Sequence, residues 1–216
     1  MNDSLEPQAG FRQTLWRARI ALVLPLLLVI GACAIGPQAR EQPAQYDLGQ
    51  PSNPATQTAR IRTTLWLPAV SAPAWLDGHG IVYRLSYQDA GKIREYANSR
   101  WVAAPAALLT QRVRSRFAAA ASGVIATGDG ARADHVLRIE LEEFSQTFTA
   151  AGQSQVMVKT RATLINPGTR ALLAQRTFTA ERPAAPDAAG AVKALSEASD
   201  DMIERLLGWT VAHLKN

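Results

Sequence analysis

Cysteine is nearly absent from this sequence, since Cys33 is the single cysteine among 216 residues. A disulfide within one chain is therefore excluded, and the fold must depend on an apolar core. The roughly 180 residues that follow the N-terminal segment are enough to bury such a core without covalent cross-links. The sequence thus predicts one domain of ordinary size.

The residue patterns that catalysis and metal binding usually require are also missing. The chain has no Gly-x-Ser-x-Gly motif and no phosphate-binding Walker sequence. The acidic residues Glu140, Glu142 and Glu143 fall on a predicted strand, where they indicate a solvated, salt-bridged surface. We therefore expect no enzyme activity, no metal and no cofactor. The three histidines lie far apart, at spacings that are not typical of a metal site: His79, His135 and His213.

Clustered positive charge is absent too, although the formal net charge is +5. Arginine mostly alternates with apolar residues, so a nucleic-acid partner is not predicted. The apolar run at residues 20–32 is too short to span a bilayer, which takes about 20 residues. Because Arg12, Arg17 and Arg19 precede it, this run is typical of the core of a signal peptide.

The apolar run ends in Ile30, Gly31, Ala32 and Cys33, an order that resembles a bacterial lipobox. We predict that Cys33 carries a covalent lipid, which anchors the protein to a membrane. Two alternatives remain at this point: an ordinary secretory signal followed by a stray cysteine, and an apolar segment that stays uncleaved. Ala34, where inner-membrane lipoproteins of enteric bacteria have Asp, favours the periplasmic face of the outer membrane.

Composition divides the rest of the chain into a tether and a domain. Residues 34–59 are rich in Pro, Gln, Ala, Ser and Thr, as flexible linkers are. Residues 46–48 form a short extended stretch within it that is able to dock on the domain. We therefore predict a signal peptide at 1–32, a lipidated N-terminus with flexible tether at 33–59, and a domain at 60–216.

Alternation of apolar and polar residues predicts six strands in the domain. A hairpin turn is predicted at residues 89–91, and a bulge near Glu143, where Phe144 falls out of phase with the preceding residues. The predicted strands cover residues 61–70, 81–87, 92–96, 137–144, 156–164 and 171–180.

Two helices complete the prediction. The first begins at Pro105 and is closed by Gly123, and the second carries an apolar stripe from Val192 to Leu207. The fold class is therefore an α/β (α+β) sandwich, in which two helices cover one mainly antiparallel sheet. The sequence shows no internal repeat and no second domain.

Several short motifs are similar to those of ABC-type transport auxiliary lipoproteins, the paraquat-inducible protein C-like family. They occur in the family's order over about residues 46–166, after the lipobox. The matching stretches are residues 46–48, 73–77, 80–84, 96–101 and 133–144.

The resemblance implies a non-catalytic subunit of an MCE-domain lipid transport system. Its partners would be the MCE-domain protein and the ABC permease and ATPase, which supplies the energy. The resemblance also implies a single α/β domain and leaves homo-oligomerisation open. A lipoprotein that activates or docks a cell-wall enzyme remains the alternative function.

Four residues of the family-like stretches are candidates for partner binding: Trp75, Leu76, Tyr83 and Arg84. Trp75 and Leu76 lie in a predicted loop, where exposed apolar side chains often anchor a partner. Burial of Trp75 and Leu76 over the sheet, and internal packing of Tyr83 and Arg84, remain open as structural roles.

Overall fold

A computed structural model describes residues 42–51 and 61–214 of the chain. The predicted signal peptide, Cys33 and most of the predicted tether lie outside the described residues. The described part forms a mixed sheet with three α-helices and a 3-10 turn at Ala74–Leu76. The strands are β1 (Ala44–Tyr46), β2 (Ile61–Trp66), β3 (Gly80–Leu85), β4 (Ala90–Trp101), β5 (Ala121–Ile125), β6 (His135–Ala150), β7 (Gln153–Ile165) and β8 (Leu172–Ala184), and the helices are α1 (Ser86–Asp89), α2 (Pro105–Ala118) and α3 (Ala188–His213).

Strand β6 is the centre of the sheet. One of its edges pairs antiparallel with β7, and β7 pairs antiparallel with β8. The other edge of β6 pairs in parallel with β2 near its start and with β3 near its end. Strand β5 extends the sheet beyond β2, while β4 and then β1 extend it beyond β3. The sheet therefore forks along this edge of β6.

The two faces of the sheet are covered differently. Helices α2 and α3 pack on one face and enclose a continuous apolar core. Leu141, Val158 and Leu164 are buried on that face, because alternate residues of β6 and β7 point toward the helices. We call the opposite face, which carries Arg138 and Glu140, the open face.

Helix α3 forms as its sequence predicts. Its apolar stripe is buried, with Leu195, Met202 and Leu206 at 1% exposure or less. The Asp187 carboxylate caps the helix by accepting a hydrogen bond of 2.7 Å from the Gly190 backbone N–H. This cap satisfies one of the donors that every helix leaves free at its N-terminus.

The predicted hairpin, bulge and meander are confirmed. Strands β3 and β4 pair antiparallel as predicted, but the short helix α1 connects them, so residues 90 and 91 of the predicted turn begin β4 instead. The β6–β7 register shifts between Leu141 and Glu143, as the phase change at Phe144 indicated. Strand β8 runs further than predicted and includes Pro183, which an outermost strand tolerates because its outer edge needs no N–H donor.

The prediction that Gly123 closes the first helix is wrong. Helix α2 ends at Ala118 with Ala119 as its C-cap, and Gly123 lies within β5, opposite Thr64. The sequence did not predict β5, because Ser122 and Gly123, two of its five residues, have low strand propensity and interrupt the alternation of apolar and polar residues.

The sheet is also less antiparallel than predicted. Parallel pairing joins β1 to β4, β2 to β5, β2 to β6 and β3 to β6. Antiparallel neighbours follow one another along the chain, so turn residues reveal them, whereas parallel neighbours need longer connections that carry no local pattern. A mixed α/β fold is therefore the observed class.

A middle portion of the predicted tether belongs to the folded unit. Residues 44–46 form β1, and the Val102 N–H donates to the Tyr46 carbonyl at 2.8 Å. Leu48 is buried in the core. The extended stretch at residues 46–48 thus docks on the domain, while residues 52–60 lie outside the described part.

Candidate partner-binding surfaces

Trp75 and Leu76 lie in the 3-10 turn that follows Pro73. The Leu76 N–H donates to the Pro73 carbonyl at 2.9 Å, which closes the turn. Leu76 is only 1% exposed, so it packs in the core and offers no side chain to a partner. Trp75 is partly buried against the same core and keeps part of its ring accessible. The turn therefore leaves Trp75 partly exposed at the surface, while Leu76 anchors the turn in the core.

Arg84 lies beside Trp75. Its guanidinium carbon is 5.0 Å from the centroid of the Trp75 ring, within the range of a cation–π contact. The same guanidinium is 3.6 Å from the Glu143 carboxylate. Since Arg84 pairs with Thr147, its side chain belongs to the open face. Trp75, Arg84 and Glu143 form what we call the Trp75 cluster.

Tyr83 lies on the other side of β3, away from the Trp75 cluster. Its ring is 4.7 Å from Tyr96 and 5.9 Å from Phe148, measured between centroids. The Tyr96 hydroxyl donates to Gln146 at 2.6 Å, and burial, with a smaller effect of Tyr83, raises the pKa of Tyr96 to about 12. Tyr83 is therefore part of an aromatic group on the helix-covered side.

The acidic residues of β6 form a ladder of ion pairs on the open face, as the sequence predicted. Lys159 is 3.1 Å from Glu142, and Arg161 pairs with both Glu142 and Glu140. Hydrogen bonds from Arg161 and then from Lys159 hold the pKa of the Glu142 carboxyl below its usual value. These carboxylates are neutralised by neighbours within the chain.

Arg112 is a key residue that the sequence analysis did not single out. Its guanidinium makes two hydrogen bonds of 2.8 Å to the Asp200 carboxylate on α3. It also donates to the backbone carbonyls of Leu48, Gly49 and Gln50. Arg112 thus ties the segment after β1 to both long helices. An arginine spaced regularly among helical residues gives no sign of such long-range partners.

The described residues bring no metal-binding side chains together. Within residues 42–51 and 61–214, no group of three or more histidine, cysteine or acidic side chains is close enough to hold a metal ion. In the same part of the chain, no helix is long and apolar enough to cross a bilayer.

These features define an α/β domain with one helix-covered face and one open face, which presents surfaces for contact. The chain belongs to the family of ABC-type transport auxiliary lipoprotein components, whose model matches residues 46–206. That match runs from the last residue of β1 into the last third of α3 and covers strands β2 to β8.

Solved structures show the same fold at low sequence identity. Protein XCC0632 from Xanthomonas campestris, of family DUF330, is 20% identical, with a TM-score of 0.67 over 81% of this chain and 95% of that chain. The crystal structure of an uncharacterized protein is 19% identical, with a TM-score of 0.60 over 79% and 99% of the two chains. No curated protein sequence matches the chain.

Proposed function

We propose that this protein is an outer-membrane lipoprotein subunit of an MCE-domain, ABC-type lipid transport system. It would be acylated at Cys33, face the periplasm, and dock or scaffold the MCE-domain conduit without catalysis. The family match over residues 46–206 carries the proposal. The lipobox-like residues 30–33 and the tether-like composition after them support the anchor.

The Trp75 cluster is the docking surface that we propose for the MCE-domain partner. Tryptophan and arginine are the residue types that contribute most to protein interfaces. The Glu143 carboxylate and the Trp75 ring hold the Arg84 guanidinium in place, so little side-chain entropy is lost on binding. Leu76 is buried in the core and Tyr83 lies on the other side of β3, so neither side chain is part of this surface.

The anchor and the partner are tested in the same cells. Tagged full-length protein is cross-linked, purified from outer membranes and analysed by mass spectrometry, with Cys33→Ala in parallel. We expect MCE-domain proteins with the wild type and loss of membrane retention in the variant. Recovery of cell-wall enzymes without MCE-domain proteins would favour the alternative function, and a membrane-bound variant would refute the anchor.

The docking surface is tested with the double variant Trp75→Ala, Arg84→Ala. Recovery of the MCE-domain protein should fall by roughly tenfold or more, since both side chains would be central contacts. Tyr87→Ala is the matched control, because Tyr87 is an exposed aromatic residue outside the cluster. Recovery equal to the wild type in a folded double variant would remove this surface from the proposal.

A further inference from the structure

An apolar row crosses five strands at one end of the sheet. Trp66 of β2 pairs with Ile125 of β5 and with Val136 of β6. Val136 pairs with Ile165 of β7, which in turn pairs with Leu172 of β8. Paired residues in neighbouring strands point to the same face. The four side chains from β2, β5, β6 and β7 therefore lie side by side on the open face, and the exposed Leu172 continues them across a register shift in the β7–β8 pairing. We call these five side chains the apolar row.

The apolar row is exposed at two of its positions. Leu172 is 61% exposed and Trp66 is 37% exposed, and Leu173, beside the row, is 43% exposed. A groove of about 690 Å³ opens above Trp66, Ile125 and Val136. The β5–β6 loop and the β7–β8 turn form its sides.

Arginines without an ion-pair partner surround the apolar row. Arg132 lines the groove, and Arg170 lies in the β7–β8 turn, next to Leu172. Arg138 follows Val136 by two residues on β6, so it points to the open face beside the row. All three are exposed, and none makes a salt bridge within the described part of the chain.

The carboxylates nearby only partly offset this positive charge. Asp134 lines the groove and accepts two hydrogen bonds from Thr64. Asp129 in the same loop accepts one from the Ala126 N–H. Near the row, the three arginines without an ion-pair partner outnumber the two carboxylates. Hydrogen-bond donors also partly compensate the charge of those two carboxylates. The ion-pair ladder of the open face begins only beyond Arg138.

We propose that the apolar row and its three arginines form a contact site for an anionic phospholipid surface. Tryptophan and leucine suit the boundary between headgroups and acyl chains, and arginine suits lipid phosphates. The inference rests on the proposed lipid anchor, because the nine residues between Cys33 and Pro43 let these two positions lie at most about 35 Å apart. The anchored domain would remain within reach of the bilayer, so a weak site is sufficient.

A membrane surface fits the row better than a protein partner does. The exposed apolar side chains lie at the ends of strands and beside two loops, which are the parts of the sheet that can approach a bilayer. The basic charge is spread around them, as at an anionic surface, and does not form paired contacts with the ladder. Binding of a protein partner to the row is the alternative that the test is designed to distinguish.

The test uses the full chain with Cys33→Ala, so that no acyl anchor contributes. Cosedimentation with phosphatidylcholine vesicles is compared with vesicles that contain phosphatidylglycerol. We expect tighter binding to the anionic vesicles, weakened roughly fivefold for each of Arg132→Gln and Arg170→Gln. Leu172→Asp should weaken binding to both compositions, and quenching by brominated lipid should decrease in Trp66→Phe. Melting curves confirm that each variant folds.

Lys92→Gln and Ile93→Asp are the matched controls, since both residues are exposed at the opposite end of the sheet. The apolar run at residues 20–32 is common to all variants, so only differences between variants report on the row. Equal binding by the row variants and the controls would overturn the proposal. Row variants that lose cross-linking to the MCE-domain protein but keep vesicle binding would overturn it in favour of a protein interface. A membrane-retained Cys33→Ala protein in cells would refute the anchor and leave the vesicle result to be judged alone.

Discussion

At the scale of single residues, Arg112 contacts parts of the chain that are far apart in sequence. Its side chain and that of Asp200 are each only 9% exposed, so their ion pair is largely screened from water. The Ser196 hydroxyl also donates to the Leu48 carbonyl, which Arg112 contacts as well. Backbone carbonyls near Leu48 therefore depend on side chains from both long helices.

Replacing Arg112 with alanine should destabilise the domain by about 3 kcal/mol, because it removes one partner of a buried ion pair. Urea denaturation measures the change. The control is Arg116→Ala, which breaks the more exposed pair with Glu204 and should cost about 1 kcal/mol or less. Equal losses in the two variants would show that burial does not strengthen the Arg112 pair.

Two glycines of α3 allow an opposite pair of substitutions. A Cβ at Gly190 would lie 2.7 Å from the Ala185 carbonyl oxygen, whereas a Cβ at Gly208 would meet no atom within 4 Å. Gly190→Ala should therefore destabilise the domain by about 1–3 kcal/mol through overpacking. Gly208→Ala should stabilise it by about 0.5–1 kcal/mol through helix propensity. Melting temperatures that shift in the same direction would contradict this geometry.

At the scale of elements, Thr64 of β2 fixes the start of β6. Asp134 accepts hydrogen bonds from the Thr64 N–H at 2.7 Å and from its hydroxyl at 2.8 Å. The Asp134 N–H donates back to the Thr64 hydroxyl at 3.0 Å. The backbone bond, followed by the hydroxyl bond, holds the pKa of the Asp134 carboxyl below its ordinary value.

A lowered pKa in the folded state means that the Asp134 contribution to stability is present at neutral pH. It is lost as pH falls below about 4 and through the lowered pKa, because the carboxyl is then protonated in both states. Asp134→Asn should therefore be less stable than the wild type at pH 7, and the difference should shrink by pH 3. Urea midpoints at both values measure it. A difference of the same size at pH 7 and pH 3 would contradict this account of Asp134.

At the scale of the whole molecule, the segment at residues 43–48 completes the domain. The compact unit begins at Pro43, and β1 adds the outermost strand of one branch of the sheet. Leu48 then enters the core next to α2 and α3. The N-terminal end of the folded unit is therefore part of its packed structure.

A chain that begins at residue 43 should unfold at the same urea concentration as one that begins at residue 34. A chain that begins at residue 61 should be less stable by at least about 2 kcal/mol, since it lacks the buried Leu48 side chain and the carbonyls that Arg112 contacts. Leu48→Ala in the longer chain should reproduce part of that loss. Equal midpoints for the two shorter chains would show that residues 43–60 add no stability.

Local patterns in the sequence predicted both long helices, the β3–β4 hairpin, the β6–β8 meander and the bulge at Glu143. Each of these depends on residues close together in the chain, whose period and turn residues specify them directly. The family was also predicted, because its short motifs keep their order along the chain. Lipidation of Cys33 stays a prediction, since it lies outside the described residues.

Only the tertiary structure decided which strands pair in parallel, and therefore which side chains share a surface. In the folded chain, Arg84 contacts both Trp75 and Glu143. Tyr83 lies on the opposite side of β3, and Leu76 is buried. The tertiary structure also aligned the five apolar residues of the row from five strands. Pairing between distant strands depends on packing of the whole core. The alternation of residues within one strand shows only which side chains share a face, not which strand lies beside it.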